Sequence, residues 1–242
     1  MITSKENNLI KLANSIKQKK HSRETGLCFV ESIKIVKELY NKNFVEQVLV
    51  TQDKLKLVNN FKCKIEVISD NIAKYLSDSV TTDGVFAIVK IKNPRVSFDR
   101  CLILDRIQDP SNIGAIVRSA CAFGFKKIFA INSVYPYSFK CIRSSMGYIF
   151  DIDYNEISLQ DLIKIKNDNN LKIICADMSG ESIETYKASS EPLAIVIGNE
   201  GQGVDEELFQ IADKTIKIPM QNAVESLNAS VSAGIIMFNL KK

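Results

Sequence analysis

The sequence predicts an α/β protein in two parts, a small N-terminal α/β domain followed by a C-terminal α/β domain on a mostly parallel sheet. Three observations predict it. Strand-length apolar runs alternate with helical patterns along the whole chain. A polar, proline-bearing stretch from Lys92 to Asp99 (K-N-P-R-V-S-F-D) breaks that alternation, which sets domains at 1–93 and 100–242 with a linker at 94–99. Charge divides there too: residues 1–95 carry 17 Lys plus Arg against 10 Asp plus Glu, and residues 96–242 carry 15 against 18. The basic first part is the expected partner of a polyanion, although a lysine-rich solvated face would look the same.

In the first part, Leu9, Ile10, Ala13 and Ile16 give a helix over Asn8 to Lys20, ending in a basic loop with Lys17, Lys19, Lys20, His21 and Arg23. L-C-F-V (27–30) reads as a buried strand, Ser32 as the N-cap of a helix through Tyr40, and V-E-Q-V-L-V (45–50) as a second strand. A lysine-bearing helix near 53–60, a strand at Ile65 to Ile68, a helix from Asp70 to Leu76 and a strand at Val85 to Ile91 complete the domain. In the second part, C-L-I-L-D (101–105) is a continuous apolar run of the kind buried in parallel sheets. A polar loop leads from it to the helix A-I-V-R-S-A-C-A-F, closed by Gly124. Further strands are expected at 128–131, 173–176, 194–197 and 215–218, with helices near 138–149, 159–166 and 205–211. In the last helix Leu227, Val231, Ile235 and Phe238 form the apolar stripe, while Ala229, Ser230, Ser232, Ala233 and Gly234 leave the other faces small. Five parallel strands with helical crossovers place ligands beyond the carboxyl ends of the strands.

Composition bounds the function. A content of 45% hydrophobic and 25% charged residues is that of a soluble globular protein. No apolar run approaches bilayer length and no charged-then-apolar leader opens the sequence, so a cytoplasmic protein without membrane contact is expected. Six scattered cysteines without a C-x-x-C pair read as small buried hydrophobes, and no metal is expected.

Three loops that follow strands carry the chemistry. In D-R-I-Q-D-P-S-N-I-G-A-I-V-R (105–118), Pro110 fixes a turn, Asn112 and Gly114 sit at a helix entry, and Arg118 offers a planar fork for phosphate or carboxylate, unless it is a paired structural arginine. In G-N-E-G-Q-G-V (198–204), Gly198, Gly201 and Gly203 let a ligand touch main chain, and Glu200 adds a carboxylate. This loop is neither G-x-G-x-x-G nor a P-loop, and a tight strand-to-helix turn would account for it equally. In I-K-I-P-M-Q-N-A-V-E-S-L-N-A-S-V (216–231), Pro219 halts a strand, and Glu225, Ser226 and Asn228 crowd the first turn of the last helix. Unpaired N–H groups there favour a polar or anionic ligand, although an N-cap on a core helix would suffice.

Taken together, D-x-x-x-D-P-x-N-x-G-A-I-x-R, I-G-N-E-G-x-G and I-P-M-x-x-x-x-E-S-L-N-A-S-V are similar to the three motifs of the SpoU family of RNA 2′-O-ribose methyltransferases, in the SPOUT class. K-L-A-N-S-I-K-Q-K-K, F-V-E-S and L-S-D-S-V-T-T-D-G-V resemble the small RNA-binding domain, related to ribosomal protein L30e, that precedes the catalytic domain in ribosomal RNA members. Arg143, Ser145 and Gly147 match a further Arg-x-Ser-x-Gly element. The resemblance implies a deep trefoil knot, S-adenosylmethionine as cofactor and a homodimer with a composite active site. It implies catalytic roles for Asn112, Arg118, Glu200, Ser226 and Asn228, and cofactor contacts at Gly198, Asn199, Gly201, Ile218, Met220, Ser226 and Leu227. RNA contacts fall to Lys17, Lys19, Lys20, Arg23, Arg118 and Arg143. The expected substrate is ribosomal RNA, with guanosine as the nucleotide and transfer RNA as the alternative. Two departures stand out: Ser32 where many relatives have glycine, and Tyr148 where a small residue is commoner.

His21 is the only histidine, so the catalytic half lacks the commonest general base. The family motif gives Arg118 that role, but a guanidinium is so weak an acid that binding phosphate and steadying the developing alkoxide suit it better. Two rival functions remain open to the sequence: a non-catalytic RNA-binding or ribosome assembly factor with this fold, and an α/β enzyme using another nucleotide.

Overall fold

The computed structural model describes residues 1–79, 81–94, 96, 99–187, 191–221 and 226–241. The chain forms two compact units, Met1–Lys92 with Tyr137–Gly147, and Asn93–Pro136 with Tyr148–Lys242. Part of the expected linker, at 95, 97 and 98, lies outside the described residues.

The first unit opens with helix α1 (Asn8–Ser15), capped by the Asn7 side chain, which accepts from the Leu9 amide. The basic loop expected next is instead a short helix, α2 (Lys19–Thr25), closed by Gly26 at a φ of 65°. Strand β1 (Leu27–Glu31), helix α3 (Ile33–Asn41) and strand β2 (Val45–Thr51) follow. The lysine-bearing helix is a 3₁₀ turn over Gln52–Leu57, and strand β3 (Lys64–Ile68), helix α4 (Asp70–Leu76) and strand β4 (Val85–Lys90) complete the run. The sheet order is β1-β4-β2-β3, with β4 antiparallel to both neighbours and β2 parallel to β3. Ile10, Ala13, Ile16, Phe29, Ile72 and Phe86 are buried together in its core.

The motif residues of this unit do structural work. Ser32 stands at the N-cap of α3 with φ at 120° and makes no capping bond. The Asp83 carboxylate accepts from the Ile33 amide at 3.0 Å instead. Gly84, at a φ of 72°, has no room for a side chain, since a Cβ there would lie 2.5 Å from Thr51 Oγ1. Ser77 donates to both oxygens of the buried Glu31 carboxylate at 2.8 and 2.9 Å, which ties β1 to the end of α4. Only glycine adopts the Ser32 backbone geometry without strain. Ser32→Gly is therefore expected to stabilise the first unit by about 1 kcal/mol, read as a higher denaturant midpoint. An unchanged or lower midpoint would contradict this.

The second unit starts at strand β5 (Arg100–Asp105), followed by helix α5 (Pro110–Phe123) and strand β6 (Lys127–Ile131). Asp109 caps α5 and Pro110 occupies its first turn, so the helix starts well before Ala115 and Arg118 lies deep within it. The next helix, α6 (Phe139–Ser144), belongs to the first unit, although the sequence placed it inside the second domain. Its Phe139 ring stacks on Phe29 at 6.4 Å, an apolar contact that local periodicity cannot reveal. After a 3₁₀ turn at Tyr148–Asp151 come strand β7 (Asp153–Glu156), helix α7 (Leu159–Asn169), strand β8 (Lys172–Ser182), strand β9 (Leu193–Ile197), helix α8 (Glu206–Ile211), strand β10 (Lys214–Lys217) and helix α9 (Ala229–Leu240).

The sheet order is β10-β8-β9-β5-β6-β7, and every pairing is parallel. The sixth strand, β7, escaped the sequence because D-Y-N-E has no apolar run. Its first residue faces Lys127 in register, and the Lys127 ammonium donates to the buried Asp153 carboxylate. Strand β8 is longer than expected, and β10 follows it irregularly: Thr215 pairs with Cys175, but Ile216 pairs with Glu181. The chains come so close there that a Cβ on Gly180 would lie 2.5 Å from the Ile216 nitrogen.

In α9 the buried residues are Ala229, Ala233, Ile236, Met237 and Leu240. Val231 and Phe238, members of the expected apolar stripe, are 49% and 54% exposed. Small residues let this helix approach α5 and β9 closely, so its small face turns inward and two large apolar side chains point out. Arg100, itself buried, holds the helix end by donating to the Leu240 carbonyl at 3.2 Å. Cys28, Cys101, Cys141 and Cys175 are buried, and burial pushes the last three thiols up to about 12, as expected of small hydrophobes. Among the described residues no helix is long and apolar enough to cross a membrane, and no group of three or more His, Cys, Asp or Glu could hold a metal ion.

Candidate active site

At the crevice between β5 and β9, where a doubly wound sheet commonly receives its ligand, charged side chains bond to one another. Asp105, 1% exposed at the end of β5, accepts from the Asp205 amide at 2.8 Å. Arg106, at a φ of 54°, grips Asp105 with two 3.1 Å bonds from Nε and Nη2. Hydrogen bonding to that carboxylate raises the guanidinium above its ordinary range.

The ligand space lies one step away, beyond β8, β9 and β10. A cavity of about 230 Å³ is lined there by Gly198, Asn199, Glu200, Gly201 and Gly203 of the glycine loop, by Ile216, Lys217, Ile218 and Met220, and by Ser226, Leu227 and Ala229 at the start of α9. The glycine loop curls on itself through an Asn199 to Gly203 backbone pair at 2.9 and 3.0 Å. Gly198 must be glycine, because a Cβ would lie 2.3 Å from the Gly203 carbonyl carbon. All seven residues expected to touch the cofactor line this one cavity. Asp177 and Met178, beyond the apolar part of β8, line it as well. Sequence reasoning missed them because A-D-M-S-G carries no fingerprint, although its place after a strand was a usable signal.

Polar residues from the three loops join in a chain that meets this cavity at Glu200. Asn228 Nδ2 donates to Asn112 Oδ1 at 3.0 Å, and Asn112 Nδ2 donates to Glu200 Oε1 at 2.7 Å. Asn228 also caps α9 by accepting from the Ser230 amide at 2.9 Å and from its hydroxyl. The first loop is thereby bonded to both of the others. The turn residues Asn222 and Glu225 lie outside the described residues. Arg118 stands apart: it is exposed on α5 and does not line the cavity. Beside it, Ser119, Phe123, Val231, Gly234, Ile235 and Phe238 line a shallow groove between α5 and α9.

Of the residues expected to meet RNA, Lys17 is engaged within the first unit. Its ammonium donates to the Leu76 carbonyl and to Asp78 at 3.1 Å, and lies over the Phe29 and Phe139 rings. It serves as a structural lysine, a correction that follows from its position where α1 meets the end of α4. Lys19, Lys20 and Arg23 are exposed on α2. Burial and the neighbouring Arg23 hold the Lys19 ammonium below the usual lysine range. Such like-charge crowding one helical turn apart favours an anionic partner. Arg143 is exposed and donates to the Ser79 hydroxyl, while Ser145 is fully buried and Gly147, at a φ of 81°, fits against Ile35. The Arg-x-Ser-x-Gly element therefore has two structural members.

A parallel sheet whose glycine loop and final helix enclose one cavity, with the first loop bonded to both, defines an α/β domain built to hold a ligand. Residues 99–238 match the model of the SpoU rRNA methylase family, and residues 7–87 match the MRM3-like substrate-binding domain. The chain belongs to the SpoU rRNA methylase family and is a methyltransferase. It is 24% identical to the 23S rRNA (guanosine(2553)-2′-O)-methyltransferase RlmP of Bacillus subtilis, over 99% of this chain and 98% of that one. Among solved structures, an RNA 2′-O ribose methyltransferase is 25% identical with a TM-score of 0.82, covering 98% of this chain and 96% of the other. An AdoMet-bound rRNA methyltransferase from Sinorhizobium meliloti, 22% identical with a TM-score of 0.86 over 98% of this chain and 95% of its own, shares the fold.

The residues present fit S-adenosylmethionine. Gly198, Gly201 and Gly203 expose main chain, apolar side chains can cover a flat base, and Asp177 and Glu200 bring carboxylates that suit a cationic ligand better than a phosphate.

Proposed function

We propose that this protein methylates a ribose 2′-hydroxyl of ribosomal RNA, with guanosine as the target nucleotide, using S-adenosylmethionine. The observation that carries the reading is the Asn228–Asn112–Glu200 chain, which links polar groups from all three motif loops and reaches the cavity at Glu200. The name of the Bacillus subtilis relative supports the ribosomal target and the guanosine.

S-adenosylmethionine supplies an electrophilic methyl group for in-line displacement. Orientation then carries much of the work: the glycine loop, Ile218, Met220 and Leu227 would hold the donor, while Ser226 and the bonded pair Asn112 and Asn228 would orient the ribose. Glu200, held by Asn112, keeps a carboxylate at the reacting side. Arg118 binds the target phosphate and steadies the developing alkoxide, and a phosphate oxygen or water takes the proton.

Because Arg118 lies outside the cavity of its own protomer, the reading includes a homodimer in which Arg118 of one copy completes the site of the other. The small-residue face Ala229, Ala233 and Gly234 of the last helix is the sequence's candidate for the dimer seam; Ala229 and Ala233 are buried in the protomer, and Gly234 lines the groove beside α5. The exposed Val231 and Phe238 beside Phe123 are the apolar surface a second copy would cover. The reading also includes the deep trefoil knot, supported by the close passage of Gly180 against Thr215 and Ile216, and places the protein in the cytoplasm with its RNA.

Methyl transfer from a tritiated donor to ribosomal RNA, followed by mapping of the modified ribose, tests the function. Cofactor binding without transfer to any RNA would favour the assembly-factor alternative. The first unit is the RNA-affinity module in this reading. Changing Lys19, Lys20 and Arg23 together to alanine should weaken RNA binding and reduce the log–log salt slope by about 2 to 3, with S-adenosylhomocysteine binding unchanged. An unchanged slope would remove α2 from the interface.

A further inference from the structure

We propose that Arg106 is a positioning residue that clamps the glycine loop into its cofactor-binding shape. The inference rests on the cofactor reading above.

Arg106 meets the loop at both ends. Its carbonyl accepts from Asn199 Nδ2 at 2.7 Å, just past the start of the loop. Its guanidinium donates from Nη1 to Gln202 Oε1 at 3.1 Å and from Nη2 to the Gly203 carbonyl at 3.3 Å, near the end. Asn199 gathers the turn between them, with Oδ1 accepting from the Gly201 and Gln202 amides at 2.9 and 3.1 Å. The guanidinium is in turn fixed by Asp105 Oδ1 and Oδ2, and Asp105 accepts from the Asp205 amide where α8 begins. A second carboxylate, Asp205 Oδ2, lies 3.4 Å from Nη1.

A loop with three glycines in six residues loses much backbone entropy on ordering. It nevertheless supplies five residues of the cavity wall and carries Glu200 to Asn112. The Arg106 fork, charge-assisted and anchored on a buried carboxylate, is the side chain that joins β5 to that loop. Its backbone adopts a left-handed conformation that strains an L side chain, so the local fold would be easier with glycine. The ion pair with the buried Asp105 opposes that strain and orders the ligand wall.

That opposition gives the test. Arg106→Gly removes the fork, keeps the carbonyl bonded to Asn199 and relieves the backbone strain. In the full-length protein, calorimetric titration with S-adenosylhomocysteine should show Kd weakened about tenfold, with the KM for S-adenosylmethionine rising in parallel. The KM for RNA should stay unchanged, the thermal midpoint should fall because the buried Asp105 loses its cation, and Arg106→Lys should lie between the two. Hydrogen exchange at the Gly201 and Gln202 amides should speed up in the glycine variant. Wild-type binding with an unchanged Kd for Arg106→Gly would overturn the inference alone. So would a weaker Kd accompanied by faster exchange throughout the second unit, which would mark Arg106 as a general stabiliser. Failure of the wild type to bind S-adenosylhomocysteine would remove the cofactor reading and this inference with it.

Discussion

Arg118→Ala is expected to slow single-turnover methyl transfer roughly 10²- to 10³-fold, the loss that follows removal of one preorganised donor from a developing anion. S-adenosylhomocysteine should bind as before, because Arg118 is exposed on α5 and does not line the cavity. Arg118→Lys keeps a charge but loses the bidentate fork, so it should retain weak activity well above the alanine level. The pH profile separates the two roles open to this residue. As an electrostatic group, lysine at this position should give a profile parallel to that of wild type. As a base, the lysine variant should gain strongly with pH while the wild type does not, since an amine loses its proton far more readily than a guanidinium. Single-turnover rates across pH for wild type and both variants decide the matter, and a steep gain confined to the lysine variant would overturn the electrostatic role.

Mixing two inactive variants should restore activity. Arg118→Ala leaves the cavity intact, and Glu200→Ala leaves Arg118 intact. If each site combines the cavity of one copy with Arg118 of the other, a heterodimer of these variants contains one site with both wild-type residues and one with neither. After subunit exchange at equal concentrations, half of the dimers are mixed and half of their sites are complete, so about a quarter of wild-type activity should appear. Each variant alone should stay near background. If Arg118 instead acted on its own protomer, every site in the mixture would lack one residue and no activity would return. Native mass spectrometry of the mixture, showing heterodimers, makes a null result decisive against the composite site.

Much of this protein was written in one dimension. The apolar run C-L-I-L-D and its counterparts at 128–131, 173–176 and 194–197 became parallel strands, because a run apolar on both faces has few other stable homes. Asp70–Leu76 was legible to the residue, since Ser69 caps it and Ile72, Ala73 and Leu76 share a face. The glycine loop and the small-residue start of the last helix were visible because glycine, proline and capping side chains act on the backbone beside them. Elsewhere the tertiary structure decided. Strand β7 exists because Lys127 and Asp153 meet in register across β6, a pairing invisible to local hydropathy. Helix α6 joined the first unit because Phe139 found Phe29. The stripe of Val231 and Phe238 faces outward although its spacing reads as core, since a helix with apolar residues on every side has no face that sequence alone can assign. Arg118 and Arg106 show the same division at the site: Arg118 stood out in its motif, whereas nothing in the sequence marked Arg106. Only the packed chain separates a guanidinium left at the surface from one bound to the buried Asp105 and the glycine loop, because local spacing carries no information about contacts 96 residues apart.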